Sequence, residues 1–190
     1  MTSGGDSCGM NVAIRSVVRT CAYYQKDCIV IYPAYKGMIE CDCVELNARS
    51  GNNIINNGGT ILKTARSKEF RTKEGREKAF LNLKKHEIDA LVVEGAFANH
   101  KDIAADRVPI LGRIFVAEQY SGTKHLPDYT KPLLVIHSIS DATVPISQGR
   151  KLFESANEPK AFYQIDSMHV RGPLYYADSI SFKIQSMLEK

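Results

Sequence analysis

A glycine-rich loop near the start of the chain has the composition of a phosphate-binding site. Gly4-Gly5-Asp6 leads directly into a segment, residues 10–21, whose apolar side chains recur at helical spacing. Glycines let the backbone approach phosphate oxygens, and the first turn of a helix offers free N–H groups and a partial positive charge. Taken alone, the loop is equally typical of a plain helix start in which Asp6 or Ser7 is the cap.

The cysteines offer a second kind of chemistry. All five lie in the first quarter of the chain, at Cys8, Cys21, Cys28, Cys41 and Cys43. An odd number without an export signal argues against a disulfide framework. Cys41-Asp42-Cys43 has half the ligands of a zinc site, but no second cysteine pair follows and no histidine is near in sequence. We therefore expect buried or incidental thiols and no metal site.

The elements that must position these residues alternate between strand and helix. Short apolar runs predict strands over residues 28–32, 60–64, 90–93, 132–137 and 161–165. Helices are expected at the start, after Thr72 as a cap, over residues 147–156, and after Asp178 as a cap. This alternation predicts an α/β protein with three αβα layers and a mostly parallel, doubly wound sheet of about five strands. We expect one continuous sheet.

Composition limits the partners. The chain has 190 residues, and 25 Lys and Arg against 21 Asp and Glu give a formal net charge of +4. This excess suits a small anionic ligand and is too small to indicate nucleic acid or a membrane. No apolar run approaches the roughly 20 residues that span a bilayer, and no signal peptide is recognisable. We expect a cytoplasmic protein that binds neither nucleic acid nor membranes.

Residues 2–93 resemble the N-terminal, nucleotide-binding part of ATP-dependent 6-phosphofructokinases almost without interruption. The similar segments are Thr2-Ser-Gly-Gly-Asp-Ser-Cys-Gly-Met-Asn-Val-Ala-Ile-Arg-Ser-Val-Val-Arg19, Tyr35-Lys-Gly37, Gly58-Gly-Thr-Ile-Leu62, Ala65-Arg-Ser-Lys-Glu-Phe-Arg71 and Asn82-Leu-Lys-Lys-His-Glu-Ile-Asp-Ala-Leu-Val-Val93. The resemblance implies that residues 1–93 form a nucleotide-binding half with ATP or ADP as ligand.

The resemblance also assigns roles to individual residues. Gly4 would contact the ATP phosphates, Tyr35 would flank the adenine, and Arg66 would pair with a phosphate through its guanidinium group. Arg15 and Arg19, one helical turn apart, match residues that bind an allosteric nucleotide at a subunit interface. Without the resemblance, all three arginines would be read as solvated surface residues.

The family pattern changes after Val93. Phosphofructokinases continue Gly-Gly-Asp-Gly, whose Asp holds magnesium, whereas this chain reads Glu94-Gly95-Ala96-Phe97. The segment with the catalytic base and the fructose 6-phosphate domain are not recognisable downstream. Pro33-Ala34 and Cys41 also depart from the family pattern around Tyr35. Since phosphoryl transfer needs a metal ion and a positioned acceptor, we expect the magnesium site and the kinase activity to be lost.

Residues 88–190 resemble the C-terminal part of α/β-hydrolases, so residues 94–190 would form a hydrolase-like half. The similar segments are Leu91-Val-Val-Glu-Gly-Ala-Phe97, Pro132-Leu-Leu-Val-Ile-His-Ser-Ile-Ser-Asp-Ala-Thr-Val-Pro145 and Asn157-Glu-Pro-Lys-Ala-Phe-Tyr-Gln-Ile-Asp-Ser-Met-His169. The resemblance implies that Asp141 is the acid and His169 the base of a catalytic triad for acyl transfer. The alternatives are a turn-capping aspartate and a surface histidine.

The nucleophile is the uncertain member of this triad. Gly5-Asp-Ser-Cys-Gly9 matches Gly-x-Ser-x-Gly, and the order Ser7, Asp141, His169 is the order that α/β-hydrolases use. However, the motif requires a strand before the turn, and some phosphofructokinases carry Gly-Asp-Ser in this loop. We therefore expect an acid–base pair without a productive nucleophile, and a minimal esterase acting on a small ester is the alternative.

The two resemblances meet in one strand. Residues 88–93 fit the pattern of both families as a buried strand, so a crossover there would preserve the apolar pattern. An engineered or recombinant chimera, or a fused reading frame, explains this better than a single-function enzyme. We expect a chain that needs no cofactor for a reaction of its own, with ATP or ADP as the candidate ligand of its first half.

Overall fold

The computed structural model describes residues 10–63, 67–86, 89–118 and 121–189. The chain divides into two compact units, residues 1–88 and 89–190. Strands and helices alternate along both, which confirms the predicted α/β class. Of the helices within these ranges, none is long and apolar enough to cross a membrane.

The described part of the first unit is built on one amphipathic helix. Its elements are α1 (Met10–Tyr23), β1 (Cys28–Ile31), α2 (Ala34–Glu40), β2 (Cys43–Leu46) and α3 (Lys73–Lys84), with 3-10 turns at Ile54–Asn56 and Glu69–Arg71. Ile14 and Val18 of α1 lie one turn apart and form the centre of the apolar core. The other buried members of that core are Cys28, Val30, Ile54 and Leu62. Thr72 caps α3 as predicted, because its side chain accepts a hydrogen bond from the Gly75 N–H at 3.0 Å.

The strands of the first unit differ from the prediction, which did not include β2. β1 and β2 pair antiparallel, from Cys28 opposite Leu46 to Ile31 opposite Cys43, because the connection over residues 32–42 is shorter than a parallel crossover requires. The strand predicted over residues 60–64 is wrong for the described residues 60–63, which form a turn closed by a hydrogen bond from the Lys63 N–H to the Thr60 carbonyl. The described strands thus lie in two sheets, where the sequence predicted one.

The second unit contains the parallel sheet. Its elements are β3 (Leu91–Glu94), α4 (His100–Arg107), α5 (Pro109–Phe115), α6 (Gly122–His125), β4 (Leu133–Ser138), α7 (Ile146–Ser155), β5 (Lys160–Ile165), α8 (Gly172–Tyr175) and α9 (Ala177–Leu188), with a 3-10 turn at Leu126–Asp128. The strand order is β3-β4-β5, with Leu91 opposite Leu133 and Leu133 opposite Lys160. All six residues of the central strand β4 are buried, as its unbroken apolar run predicts.

Helices cover both faces of this sheet and make three layers. On one face, Leu134 and Ile136 of β4 pack in a cluster with Ile180 of α9. On the other, Leu133 and Val135 pack in a cluster that includes Phe153 of α7. The alternation of side chains along β4 therefore supplies two cores from one strand.

The start of α9 corrects a predicted cap. Asp178 was expected to be the N-cap, but the helix begins at Ala177 and Tyr176 is the flanking residue. The short helix α8 leads almost directly into α9, and the Ile180 N–H bonds the Tyr176 carbonyl. Asp178 lies in the first turn, where its negative charge still favours the positive end of the helix.

Candidate functional site

Parallel strands bring the candidate catalytic residues of the second unit together. The carboxyl ends of β3, β4 and β5 lie at one edge of the sheet, which is where doubly wound proteins bind ligands. Asp141 lies in the turn between β4 and α7, and His169 lies between β5 and α8. Both therefore follow neighbouring strands at the same edge.

Asp141 is held by its own turn. One carboxylate oxygen, Oδ1, accepts hydrogen bonds from the backbone N–H groups of Thr143 at 2.8 Å and Val144 at 2.9 Å. This is the local side-chain-to-backbone pattern for which aspartate is favoured in turns. The side chain is 1% exposed, so its second oxygen is fixed in position away from water.

That second oxygen contacts His169. Asp141 Oδ2 lies 2.7 Å from His169 Nδ1, so the contact expected from the sequence is present. The arrangement favours the tautomer in which Nδ1–H donates to the carboxylate and Nε2 is left as the proton acceptor. The His169 side chain is 33% exposed, so a solvent molecule or substrate can reach the ring.

A second histidine lies behind this pair. His137 of β4 is fully buried, its Nε2 is 2.9 Å from the Val144 carbonyl oxygen, and the same nitrogen is 3.7 Å from Asp141 Oδ2. Because the carbonyl can only accept, this Nε2 carries the hydrogen. His137 therefore secures the turn that holds Asp141, a role that its place in an apolar run did not suggest.

The end of β3 completes the surroundings of His169. The Glu94 Oε1 atom accepts a hydrogen bond from the Gly172 N–H at 2.6 Å. Burial raises the pKa of the Glu94 carboxyl above its usual value, although the Gly172 hydrogen bond and the nearby His169 oppose that rise. Gly95 has φ of +60°, and a Cβ there would lie 2.8 Å from His169 Cε1. Sequence reasoning used Glu94-Gly95 as a departure from the phosphofructokinase pattern and as part of a hydrolase-like segment, and gave neither residue a role in the site. The position of this pair after a buried strand was the signal that could have identified it.

The described residues do not supply the nucleophile. Ser7 lies outside them, and within them no hydroxyl or thiol is hydrogen-bonded to His169 Nε2. Ser138, at the end of β4, is committed elsewhere, because its hydroxyl donates to the Ser167 carbonyl at 2.5 Å and accepts from the Ser167 N–H at 2.8 Å. The arrangement can orient a histidine and accept a proton at its free nitrogen.

The predicted nucleotide site is only partly within the described residues. Gly4 and Arg66 lie outside them. Tyr35, on α2, stacks on Phe70 with ring centroids 4.3 Å apart and an interplanar angle of 25°. Arg15 and Arg19 lie one turn apart on α1, half-buried and exposed respectively.

One buried residue of α1 fixes the glycine-containing loop over residues 57–61. The Asn11 side chain donates to the Asn57 carbonyl at 3.0 Å and accepts from the Ile61 N–H at 2.8 Å. Since Asn11 is completely buried, both of its polar groups are satisfied inside the unit. Sequence reasoning did not single out this residue, because a lone asparagine in an amphipathic helix looks like a surface position.

Comparison with known proteins shows which family the first part of the chain resembles. The family model described as phosphofructokinase matches residues 1–110, more than half of the chain. The chain belongs to the phosphofructokinase family. The match extends past Val93, where the sequence resemblance was expected to end.

Individual phosphofructokinases agree with this assignment. The ATP-dependent 6-phosphofructokinase of Clostridioides difficile (strain 630) is 48% identical over 115 residues, which cover 59% of this chain and 36% of the relative. That of Thermoanaerobacter sp. (strain X514) is 50% identical over 95 residues, or 50% of this chain and 30% of the relative. This phosphofructokinase-family chain thus spans about a third of the length of the curated relatives it matches.

Solved structures are similar to the chain at lower sequence identity. Phosphofructokinase of Pichia pastoris in the T-state gives a TM-score of 0.49 at 31% identity, covering 72% of this chain and 14% of that one. The Pyrococcus furiosus esterase Pf2001 gives a TM-score of 0.42 at 17% identity, covering 55% of this chain and 45% of that one.

Proposed function

We propose that this chain is a nucleotide-binding protein of phosphofructokinase descent that has lost phosphoryl transfer, and that its second unit keeps the acid–base pair of an α/β-hydrolase. One observation carries the proposal: the carboxyl end of β3 is built into the surroundings of His169. Glu94 bonds Gly172, and Gly95 packs against the His169 ring. A strand end used in this way does not serve a metal–phosphate site.

Loss of phosphoryl transfer follows from the chemistry of that strand end. Transfer of a phosphoryl group depends on magnesium, which neutralises the developing charge, and on a positioned acceptor hydroxyl. By the resemblance, the magnesium-binding aspartate would stand at the position of Ala96, whose methyl side chain cannot bind a cation. The neighbouring Glu94 is buried and already hydrogen-bonded. The residues present do not fit a magnesium ion.

Nucleotide binding would rest on the remaining residues of the first unit. Gly4 and Arg66 would contact phosphates, and Tyr35, whose ring is held by its stacking on Phe70, would lie beside the adenine. With its metal site lost, the site would bind ATP or ADP weakly. Arg15 and Arg19 of α1 would bind a second nucleotide only if another subunit completed that site.

Calorimetric titration with ADP and ATP tests this site. Arg66→Ala should weaken binding by at least about tenfold, because a guanidinium–phosphate bond contributes about 1.5–3 kcal/mol. The exposed Arg49 gives a matched control, since Arg49→Ala removes the same charge from the same unit. Binding that is equally strong in the parent, Arg66→Ala and Tyr35→Ala proteins would show that the site is misplaced.

A second candidate is a minimal serine esterase, favoured by the 2.7 Å contact between Asp141 and His169. In that reaction the Ser7 hydroxyl would add to the ester carbonyl while His169 Nε2 takes its proton. The alcohol would then leave with that proton, and water would release the acyl group. We propose the acid–base pair without this productive nucleophile.

Hydrolysis of p-nitrophenyl esters separates the two candidates. We expect no hydrolysis that depends on both Ser7 and His169, measured with Ser7→Ala and His169→Ala. The exposed His125 provides the control substitution His125→Ala. Hydrolysis that both test variants abolish and His125→Ala leaves intact would establish the esterase instead.

A further inference from the structure

Two cysteines and a histidine to which no role is assigned above converge in the first unit. The Sγ atoms of Cys41 and Cys43 and a ring nitrogen of His86 all lie within 4.8 Å of one another. Both thiols are free and half-buried. The group is thus shielded in part and remains open on one side.

The backbone at the end of α2 brings the two thiols together. Cys41 ends the helix in the left-handed conformation, with φ of 59° and ψ of 36°. The Cys43 N–H donates to the Cys41 carbonyl at 3.1 Å, which folds the three residues into a tight turn before β2. Both side chains leave this turn on the same side, as their mutual distance requires.

A contact between the ends of α3 and α2 places His86 near the two thiols. Asn82, in the last turns of α3, donates its side-chain N–H groups to the carbonyls of Met38 at 3.0 Å and Ile39 at 2.9 Å. This caps the end of α2 with the end of α3. His86 follows one turn after Asn82, so the same contact holds its ring beside Cys41.

The donor set is that of a soft metal site. Thiolate and imidazole together select zinc among the common divalent ions, and a site with three protein ligands leaves the fourth position to water or another ligand. A tetrahedral zinc ion with Zn–S bonds of about 2.3 Å places its sulfur ligands about 3.8 Å apart. Side chains within 4.8 Å reach this geometry by small rotations about their χ angles.

We propose that Cys41, Cys43 and His86 bind one Zn²⁺ ion, with the fourth position open. Sequence reasoning identified the cysteine pair as half a site and rejected it because no second cysteine pair follows and no histidine is near in sequence. The fold supplies the histidine from the end of α3. The site is independent of the nucleotide and acid–base sites, so their failure would leave it untouched.

Competition titration of Zn²⁺ against a chromophoric chelator, on the reduced full chain, tests the proposal. The parent should bind one Zn²⁺ per chain, and Cys43→Ser and His86→Gln should each weaken binding by at least about a hundredfold, since even the loss of an outer hydrogen-bond partner costs roughly 10–100-fold. Cys21→Ser is the control, because Cys21 is a half-buried free thiol of the same unit. It should leave the affinity unchanged.

Two further measurements keep the result independent of misfolding. Cys41→Gly should abolish zinc binding while preserving the fold, because glycine suits the left-handed backbone there. With Co²⁺ in place of zinc, the thiolate-to-cobalt absorption per bound ion should halve in Cys43→Ser and persist in His86→Gln. Zinc affinity that is the same in the parent, Cys41→Gly, Cys43→Ser and His86→Gln, or that falls equally in Cys21→Ser, overturns the proposal.

Discussion

Asp141 is a buried carboxylate that contacts both its own turn and His169, so its replacement tests the site sharply. The side chain is 1% exposed, and its two oxygens accept from two backbone N–H groups and contact one imidazole. Asp141→Ala removes all three partners. Asp141→Asn keeps an oxygen for the two backbone groups and changes only the atom that faces His169.

The contacts give different magnitudes for the two variants. A hydrogen bond to a charged group contributes about 1.5–3 kcal/mol, and a buried N–H left without a partner costs a similar amount. The Val144 amide is buried, whereas the Thr143 amide can return to water, so we expect Asp141→Ala to lower the free energy of unfolding by about 3–4 kcal/mol. Asp141→Asn should cost about 1–2 kcal/mol, because it keeps both backbone hydrogen bonds and changes only the oxygen that lies 2.7 Å from His169 and 3.7 Å from His137.

Urea denaturation followed by far-UV circular dichroism measures these differences, and amide hydrogen exchange locates them. Exchange at Thr143 and Val144 should accelerate strongly in Asp141→Ala and stay close to the parent in Asp141→Asn. Asp128→Asn is the control, because Asp128 is an exposed carboxylate of the same unit, and it should change stability by less than about 0.5 kcal/mol. If Asp141→Ala unfolds at the parent's urea concentration, or exchange at these two amides is unchanged, the reasoning about this turn is refuted.

Three other substitutions follow from the same contacts. Gly95→Ala should destabilise the protein by about 1–3 kcal/mol in urea denaturation, because its φ is +60° and the new Cβ would lie 2.8 Å from the ring of His169; a neutral effect would contradict this. Glu94→Gln should gain stability relative to the parent as pH rises. Burial raises the pKa of the Glu94 carboxyl in the folded state. The stabilisation that this carboxyl gives the parent is therefore full below its unfolded-state pKa and is lost as pH rises through its folded-state pKa. Parallel curves of stability against pH for the two proteins would contradict this expectation. Cys41→Gly should raise the free energy of unfolding by about 1 kcal/mol in zinc-free buffer, since φ at this position is 59°, and a lower thermal midpoint would contradict the expected relief of strain.

The sequence predicted the second unit better than the first, for a physical reason. Buried parallel strands leave unbroken apolar runs, and residues 132–137 and 161–165 lie within one residue of the observed β4 and β5 at either end. β2 was missed because Cys43-Val-Glu-Leu46 is a short, half-exposed strand in an antiparallel pair. The run over residues 60–63 has strand composition, but the buried side chain of Asn11 accepts the Ile61 N–H, which a strand would need for pairing.

The candidate site was predicted where it follows from strand order, and missed where it depends on packing. Asp141 and His169 each follow a recognisable strand, so their meeting could be expected. His137 and Glu94 were missed, because nothing in the sequence tells which side chains of a buried strand turn toward the site. His86 was missed for a related reason: its proximity to Cys41 depends on a contact between two helix ends.

The central claim is that this phosphofructokinase-family chain has lost phosphoryl transfer, because the residues at the end of β3 do not fit a magnesium ion. Formation of ADP from MgATP and fructose 6-phosphate, coupled to NADH oxidation, measures that activity directly. We predict a rate equal to the protein-free blank at every protein concentration, for the parent and for Arg66→Ala alike. A rate that rises in proportion to the parent protein and is lost in Arg66→Ala would contradict the account.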